Sequence, residues 1–521
     1  DDTFDVTLYL GPPKGVSQID RLPIPQAIWQ KANLSGRTMK LGLTWVASDG
    51  KAYKAPQEQT WTIAPTSLKG VVYYNSYATK LAENFNGAKG GNGRFGGATL
   101  AIKGGAFDPT LTAGSTTQDA SGCRVCHSVS ADGSTLVAQA DNGHSSIYDL
   151  RMSTERQTQT KDDRKFGWGA LYPDGSMALG AAGPPGEGGQ SPIASLDTSA
   201  VWKLADGSKV ASPGLEIVTQ AATPSFSPDG KKVAFNLWKG TGFGPVKGDG
   251  KSIVVMDVAR TDANTLTLGN PTGVFTATGG EAQLPCWPFF LPDNSGVVFE
   301  LELQAGSRKE HFMTRLNARG ELWWTDLAGN AHALDAANGK GYLPTGANSH
   351  DQDATLSYEP TVAPIVAGGY AWVVFTSRRL YGNVATRAPF DSDPRLFDLT
   401  PGNASGPTTK KLWVTAIDIP AKPGTDPSHP AFYLPAQELY AGNSRGFWAL
   451  EACKADGESC QGGDECCNGH CSQVVEFPVC GAKPPDTCAA EYDTCNVSAD
   501  CCQDAAPLTC IAGHCATTIL L

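Results

Sequence analysis

One pentapeptide in this 521-residue chain has the residue types and spacing for a defined chemistry: Cys123-Arg-Val-Cys126-His127. Two thiols separated by two residues can form thioethers with both vinyl groups of a haem, and the adjacent imidazole can then reach the iron as proximal ligand. A CxxC disulfide that happens to precede a histidine is the plain alternative. A zinc site is discounted, because no second pair of ligands lies nearby in the sequence.

Other matches to functional patterns are weak. Gly91-Asn-Gly-Arg-Phe-Gly96 has the spacing of a dinucleotide fingerprint, but no strand leads in and no helix follows, so it reads as a flexible loop. Gly442-Asn-Ser444-Arg-Gly446 satisfies the nucleophile-elbow spacing, yet it precedes a strand in an all-β context and lacks the strand-turn-helix that a serine hydrolase requires. Asp351-Gln-Asp353 and Asp391-Ser-Asp393 could hold calcium in loops, although neither belongs to a complete calcium-binding loop. Arg378-Arg379 could pair with haem propionates or occupy a solvated turn. No carboxylate pair suited to polysaccharide cleavage is identifiable, so an electron carrier or binding protein is expected ahead of a hydrolase.

The pentapeptide sits inside a repeat that runs over residues 71–450. In register the units are Pro224-Ser-Phe-Ser-Pro-Asp-Gly-Lys-Lys-Val-Ala-Phe, Pro288-Phe-Phe-Leu-Pro-Asp-Asn-Ser-Gly-Val-Val-Phe and Gly169-Ala-Leu-Tyr-Pro-Asp-Gly-Ser-Met-Ala-Leu, with weaker copies from Pro360 and Pro430. Each is a strand, an Asp-Gly-type turn and a second apolar strand, half of a four-stranded blade. These motifs resemble the TolB-type β-propeller repeat, a relative of the WD repeat. The resemblance implies four-stranded sheets packed radially around an axis, because one such sheet cannot bury both faces alone. Six units are visible and seven or eight are allowed.

The pentapeptide itself resembles the haem motif of c-type cytochromes over its five residues alone. In the blade register Asp132 matches Asp229, and His127 matches Pro224 and Pro288, which puts a haem at the start of a blade's first strand, over one mouth of the channel. Five histidines remain as a distal ligand once His127 and the tail's His470 and His514 are set aside. His429, directly before Pro430, is the first choice, and His350 in a polar loop the second. His144, His311 and His332 follow blade turns and read as ordinary surface or hydrogen-bonded residues. Cys286, beside Trp287, shares the register and reads as inert packing.

Residues 1–70 alternate apolar and polar positions in short runs such as Phe4–Leu10, Met39–Trp45 and Gln59–Ile63, and are expected to form a small Ig-like β-sandwich. At the other end, twelve of the fifteen cysteines lie between Cys453 and Cys515 as a duplicated six-cysteine pattern with a central adjacent pair. Spacing alone allows about 15 connectivities for each copy. The pattern resembles the inhibitor cystine knot, or knottin, which implies modules at 451–482 and 483–521 bonded Cys453–Cys467, Cys460–Cys471, Cys466–Cys480, Cys488–Cys502, Cys495–Cys510 and Cys501–Cys515. Modules this small have too little core to fold without disulfides.

Charge and composition narrow the partners. The chain carries 41 Lys and Arg against 52 Asp and Glu, net −11, without basic clusters, so nucleic acid and anionic membranes are set aside. No apolar run is long enough for a membrane span. So dense a cystine cluster persists only in an oxidising compartment, and Asp1 opens directly on polar residues, so the chain is expected to be exported, with its signal peptide removed. The sum is an all-β, exported monohaem c-type cytochrome on a propeller, an electron carrier or redox or ligand sensor with a redox partner or neighbouring subunits. The competing expectation is a non-redox adhesion or assembly protein that docks, or builds filaments, through its C-terminal knots.

Overall fold

The computed structural model describes residues 38–82, 96–180, 198–240, 248–379 and 410–460, apart from short gaps within these ranges, with a few positions before residue 38 and others around the tail cysteines. The chain divides into two compact units, residues 1–68 and 69–521. In the first, Thr38–Leu41 pairs with Gln59–Thr62 and Thr44–Val46 with Ala52–Lys54, both antiparallel. Trp29 and Trp61 stack with their rings 5.9 Å apart. The run Phe4–Leu10 lies outside the described residues.

The second unit is a six-bladed β-propeller. Blade 1 is closed by the two ends of the repeat: Gly442–Ala449 forms its inner strand, followed outward by Val71–Thr79, Gly96–Lys103 and Thr110–Ala113. Blade 2 runs outward as Arg124–Val129, Thr135–Ala140, His144–Asp149 and Thr154–Gln159. Blade 3 comprises, among the described residues, Ala170–Leu171, Met177–Leu179 and Val201–Lys203. Blade 4 starts at Val218–Phe226, blade 5 at Leu284–Phe290 and blade 6 at Ser357–Val362, each with three further strands and blade 4 with a fifth, Thr272–Thr276.

The Asp-Gly signal marks the first hairpin of successive blades. The carboxylates of Asp132, Asp174, Asp229 and Asp293 accept the amide two residues on, at 2.9, 2.9, 3.0 and 3.1 Å. This is the local hydrogen bond by which Asp favours a turn over a strand. The next residue takes positive φ, 68° at Gly133, 69° at Gly175, 70° at Gly230 and 58° at Asn294. At Gly133 the neighbours add a second demand, because a Cβ would stand 1.9 Å from the Leu450 carbonyl oxygen.

Apolar side chains from facing blades form the core as wedges. Phe235 and Val254 of blade 4 pack with Met177 and Val201 of blade 3, and Trp324 of blade 5 with Phe375 and Trp413 of blade 6. The weak repeat copy at Pro430 is corrected by this topology. Phe432–Tyr433 is the outermost strand of blade 6, and the Gly446 segment that follows is the innermost strand of blade 1. Pro430 therefore begins no blade.

Candidate functional site

At or just before each inner strand stands one non-glycine residue with positive φ: Cys126 (56°), Trp168 (61°), Thr223 (47°), Trp287 (54°), Glu359 (52°) and Arg445 (44°). In five blades it falls where the pairing register slips, between Val125 and Ser128, Ala222 and Ser225, Cys286 and Phe289, Tyr358 and Thr361, and Ser444 and Phe447. A Cβ makes this conformation unfavourable, so packing must hold it. Hydrogen bonds between blades do so. The amide of Trp168 donates to Cys126 O (3.3 Å), that of Trp287 to Thr223 Oγ1 (2.9 Å), that of Glu359 to Glu300 Oε2 (2.9 Å) and that of Arg445 to Thr376 Oγ1 (2.7 Å). At these four positions the amide leaves its own ladder and bonds to the preceding blade.

The side chains of this ring plug the channel. Cys126, Trp168, Ala222, Leu284, Cys286, Trp287 and Phe312 form one buried apolar cluster drawn from several blades. Trp168 and Trp287 meet edge to face at 5.3 Å. The Arg445 guanidinium carbon lies 3.8 Å from the Trp287 ring centroid and 5.0 Å from that of Trp168. Burial lowers Arg445 to about 10, against the opposing pull of Glu359. Burial also pushes Glu359 up, with Arg445 opposing, and raises the Glu300 carboxyl and the Cys286 thiol well above their ordinary values.

Within the pentapeptide, Cys123 is half-buried, Cys126 is buried and neither belongs to a disulfide. Burial, with the neighbouring Cys123 adding to it, pushes the Cys126 thiol up. His127 is fully enclosed, its Nδ1 2.8 Å from Asn75 Oδ1 of blade 1 and its ring 6.4 Å from that of Phe447. Its Nε2 has no hydrogen-bond partner, and burial lowers its pKa to about 3, with Arg445 contributing. The motif occupies the start of the inner strand of blade 2, with Cys123 directly before it and Arg124–His127 as its first four residues.

The donor atoms suit a covalently held haem, since a ligating imidazole characteristically has its other nitrogen fixed by a neighbour, as Asn75 fixes Nδ1 here. Space is the difficulty. Cys126 packs into the tryptophan plug whereas His127 lies against Phe447, and the cavity that Phe447 and Arg445 line holds about 30 Å³. Sites for cofactor-sized ligands run to roughly 300–1,000 Å³. A macrocycle here requires those aromatic side chains to move.

His429 is placed elsewhere than the sequence register suggested. It sits on the exposed outer part of blade 6, its Nε2 2.8 Å from Asp418 Oδ1 and its ring edge-on to Tyr370. The error follows from Pro430, which precedes an outer strand. His350 lies outside the described residues, as do Asp391 and Asp393. Asp353 is buried. Arg379 is no solvated turn residue. Its guanidinium is wholly buried between blades, bonded to Ser377 Oγ, Ser357 Oγ and Ala337 O, and stacked on Trp413. Arg378 donates to Thr314 O. Ser444 is buried in the inner strand of blade 1, where no nucleophile elbow exists. Cys286 is packed in the same cluster as Cys126.

Four disulfides join described cysteines of the tail: Cys460–Cys471, Cys466–Cys480, Cys488–Cys502 and Cys501–Cys515. Cys467 and the Cys510 side chain lie outside the described residues, and with them the Cys453–Cys467 and Cys495–Cys510 bonds. Among the described residues, the clusters of metal-ligating side chains are these cystine sulfurs. The bulge ring and Arg445 escaped the reading of the sequence. A signal was present, because each ring residue directly precedes the residue that opens a repeat unit: His127, Gly169, Pro224, Pro288, Pro360 and Gly446.

Fold and site together define a six-bladed, disulfide-tailed propeller with an aromatic plug in its channel. No protein-family model matches the sequence, and no curated protein matches it. Among solved structures, TolB from Acinetobacter baumannii shares 11% identity at a TM-score of 0.37, over 82% of this chain and 86% of that one. A nidogen/laminin complex gives 10% and 0.37, over 74% and 100%. Oligogalacturonate lyase from Vibrio parahaemolyticus gives 12% and 0.32, over 77% and 86%.

Proposed function

We propose that this chain is an exported monohaem c-type protein, with haem bound through Cys123, Cys126 and His127 and a role in electron transfer or redox sensing. The observation that carries this reading is the buried, partnerless Nε2 of His127 beside two cysteines outside any disulfide, with Nδ1 held by Asn75. A buried polar atom without a partner is costly unless something satisfies it. When bound, the haem would supply one-electron chemistry, while the chain's own residues orient the imidazole and exclude water. His350 is the remaining candidate of the two histidines considered as second axial ligand. The tail disulfides support an oxidising compartment, and no helix among the described residues is long and apolar enough to cross a membrane.

A second reading is a non-redox assembly platform built on propeller and knottin-like modules. It is favoured by the divergence of Cys126 and His127 into separately packed surroundings. Visible spectra and a pyridine haemochrome assay on native material separate the two. A c-type Soret and α band, lost in His127→Ala or shifted in it to high spin, supports the haem reading. Native protein with no Soret band overturns it and leaves the assembly reading.

A further inference from the structure

Arg445 poses a problem that the haem reading does not answer. It is 4% exposed, and its Nε and Nη1 have no hydrogen-bond partner. No carboxylate among the described residues lies within ion-pairing distance of it. Glu359 and Glu300 face it electrostatically, and burial raises the pKa of both carboxyls, with Arg445 opposing that rise at Glu359. The two tryptophan faces stabilise the cation but cannot accept its N–H groups in the guanidinium plane.

Arg445 lines the cavity of about 30 Å³ on the channel axis, whose walls are otherwise mainly Pro, Phe and Val. One wall residue, Ser225, is also buried and carries an Oγ with no partner. Two residues that carry buried donors without acceptors, Arg445 and Ser225, therefore line one small void.

From this we infer that Arg445 and Ser225 form a binding site for one small monovalent anion, of halide or formate size, in the central channel. The volume excludes larger anions, a guanidinium cation requires a counter-charge in an apolar enclosure, and both unpartnered groups are donors. A lone water would meet the hydrogen bonds but add no counter-charge.

The site shares Phe447 and Arg445 with the space a haem would need, so the two readings are tested by separate measurements. Full-length protein is held at constant ionic strength while gluconate, too large for the void, is exchanged for formate or bromide, and the thermal midpoint and tryptophan fluorescence are followed. The expected result is a saturable rise in midpoint with a parallel fluorescence change from Trp168 and Trp287, lost in Arg445→Gln and kept in the surface control Lys422→Gln. A response that never saturates, or that persists in Arg445→Gln, overturns the site and leaves water as the occupant. Should Arg445→Gln fail to fold, bromide-soaked crystals of the wild type decide. An anomalous peak within hydrogen-bond distance of Arg445 supports the site, and its absence refutes it. Haem content, measured by pyridine haemochrome on the same sample, bears only on the haem reading.

Discussion

The guanidinium carbon of Arg445, from the last inner strand of the chain, lies 3.8 Å from the ring centroid of Trp287, from blade 5. This contact joins a closing strand to the middle of the repeat and makes one cation part of an apolar plug. In gluconate buffer Arg445→Met should be neutral or stabilising by up to a few kcal/mol, because an apolar chain of similar length replaces an unpaired buried charge. Trp287→Ala should cost about 3–5 kcal/mol through the cavity it leaves. Urea unfolding of both variants checks the contrast, and marked destabilisation by Arg445→Met would show that the charge is compensated within the fold.

Two glycines of nearly equal φ separate backbone conformation from close approach. Gly133→Ala places a Cβ 1.9 Å from the Leu450 oxygen, whereas Gly424→Ala meets nothing within 4 Å. The second should cost about 1–2 kcal/mol, the penalty of left-handed backbone alone, and the first clearly more. Equal losses in thermal midpoint would contradict the clash at Gly133.

His311 sets a pH dependence. Its Nδ1–H donates to Glu302 Oε1 at 2.6 Å, and this bond raises the imidazole pKa against the opposing effect of burial. A raised folded value means that the stabilisation is complete below the ordinary histidine value of about 6.5 and is lost as pH rises through the folded value. Wild-type urea midpoints should therefore fall as pH rises above about 6.5, and His311→Gln should remove that part of the decline. An unchanged slope in the variant would reject the coupling.

Closure of the ring depends on Gly442–Ala449, which pairs with Val71–Thr79 as the inner strand of blade 1. A chain ending at residue 441 would leave that strand's inner edge unpaired and should lose cooperative unfolding by calorimetry. A chain ending at residue 450 keeps all six blades and should retain it. Similar melting of the two truncations would place the closure elsewhere.

The sequence by itself determined the repeat, because Asp followed by Gly or Asn between apolar strands carries its own turn in side-chain-to-backbone hydrogen bonds. Asp132, Asp174, Asp229 and Asp293 therefore mark hairpins before any tertiary contact is known. The disulfide-rich tail was legible for a similar reason, since duplicated cysteine spacing is a local record of covalent need. His429 was misplaced because register with Pro430 cannot tell an outer strand from an inner one, and only ring closure assigns that. Tertiary structure alone decided the bulge ring. A positive φ at Cys126, Trp287 or Arg445 is unfavourable in isolation and exists because the preceding blade captures the freed amide or packs the side chain. It also decided that Arg445 and Ser225, far apart in the chain, border one cavity, which no spacing along a strand could reveal.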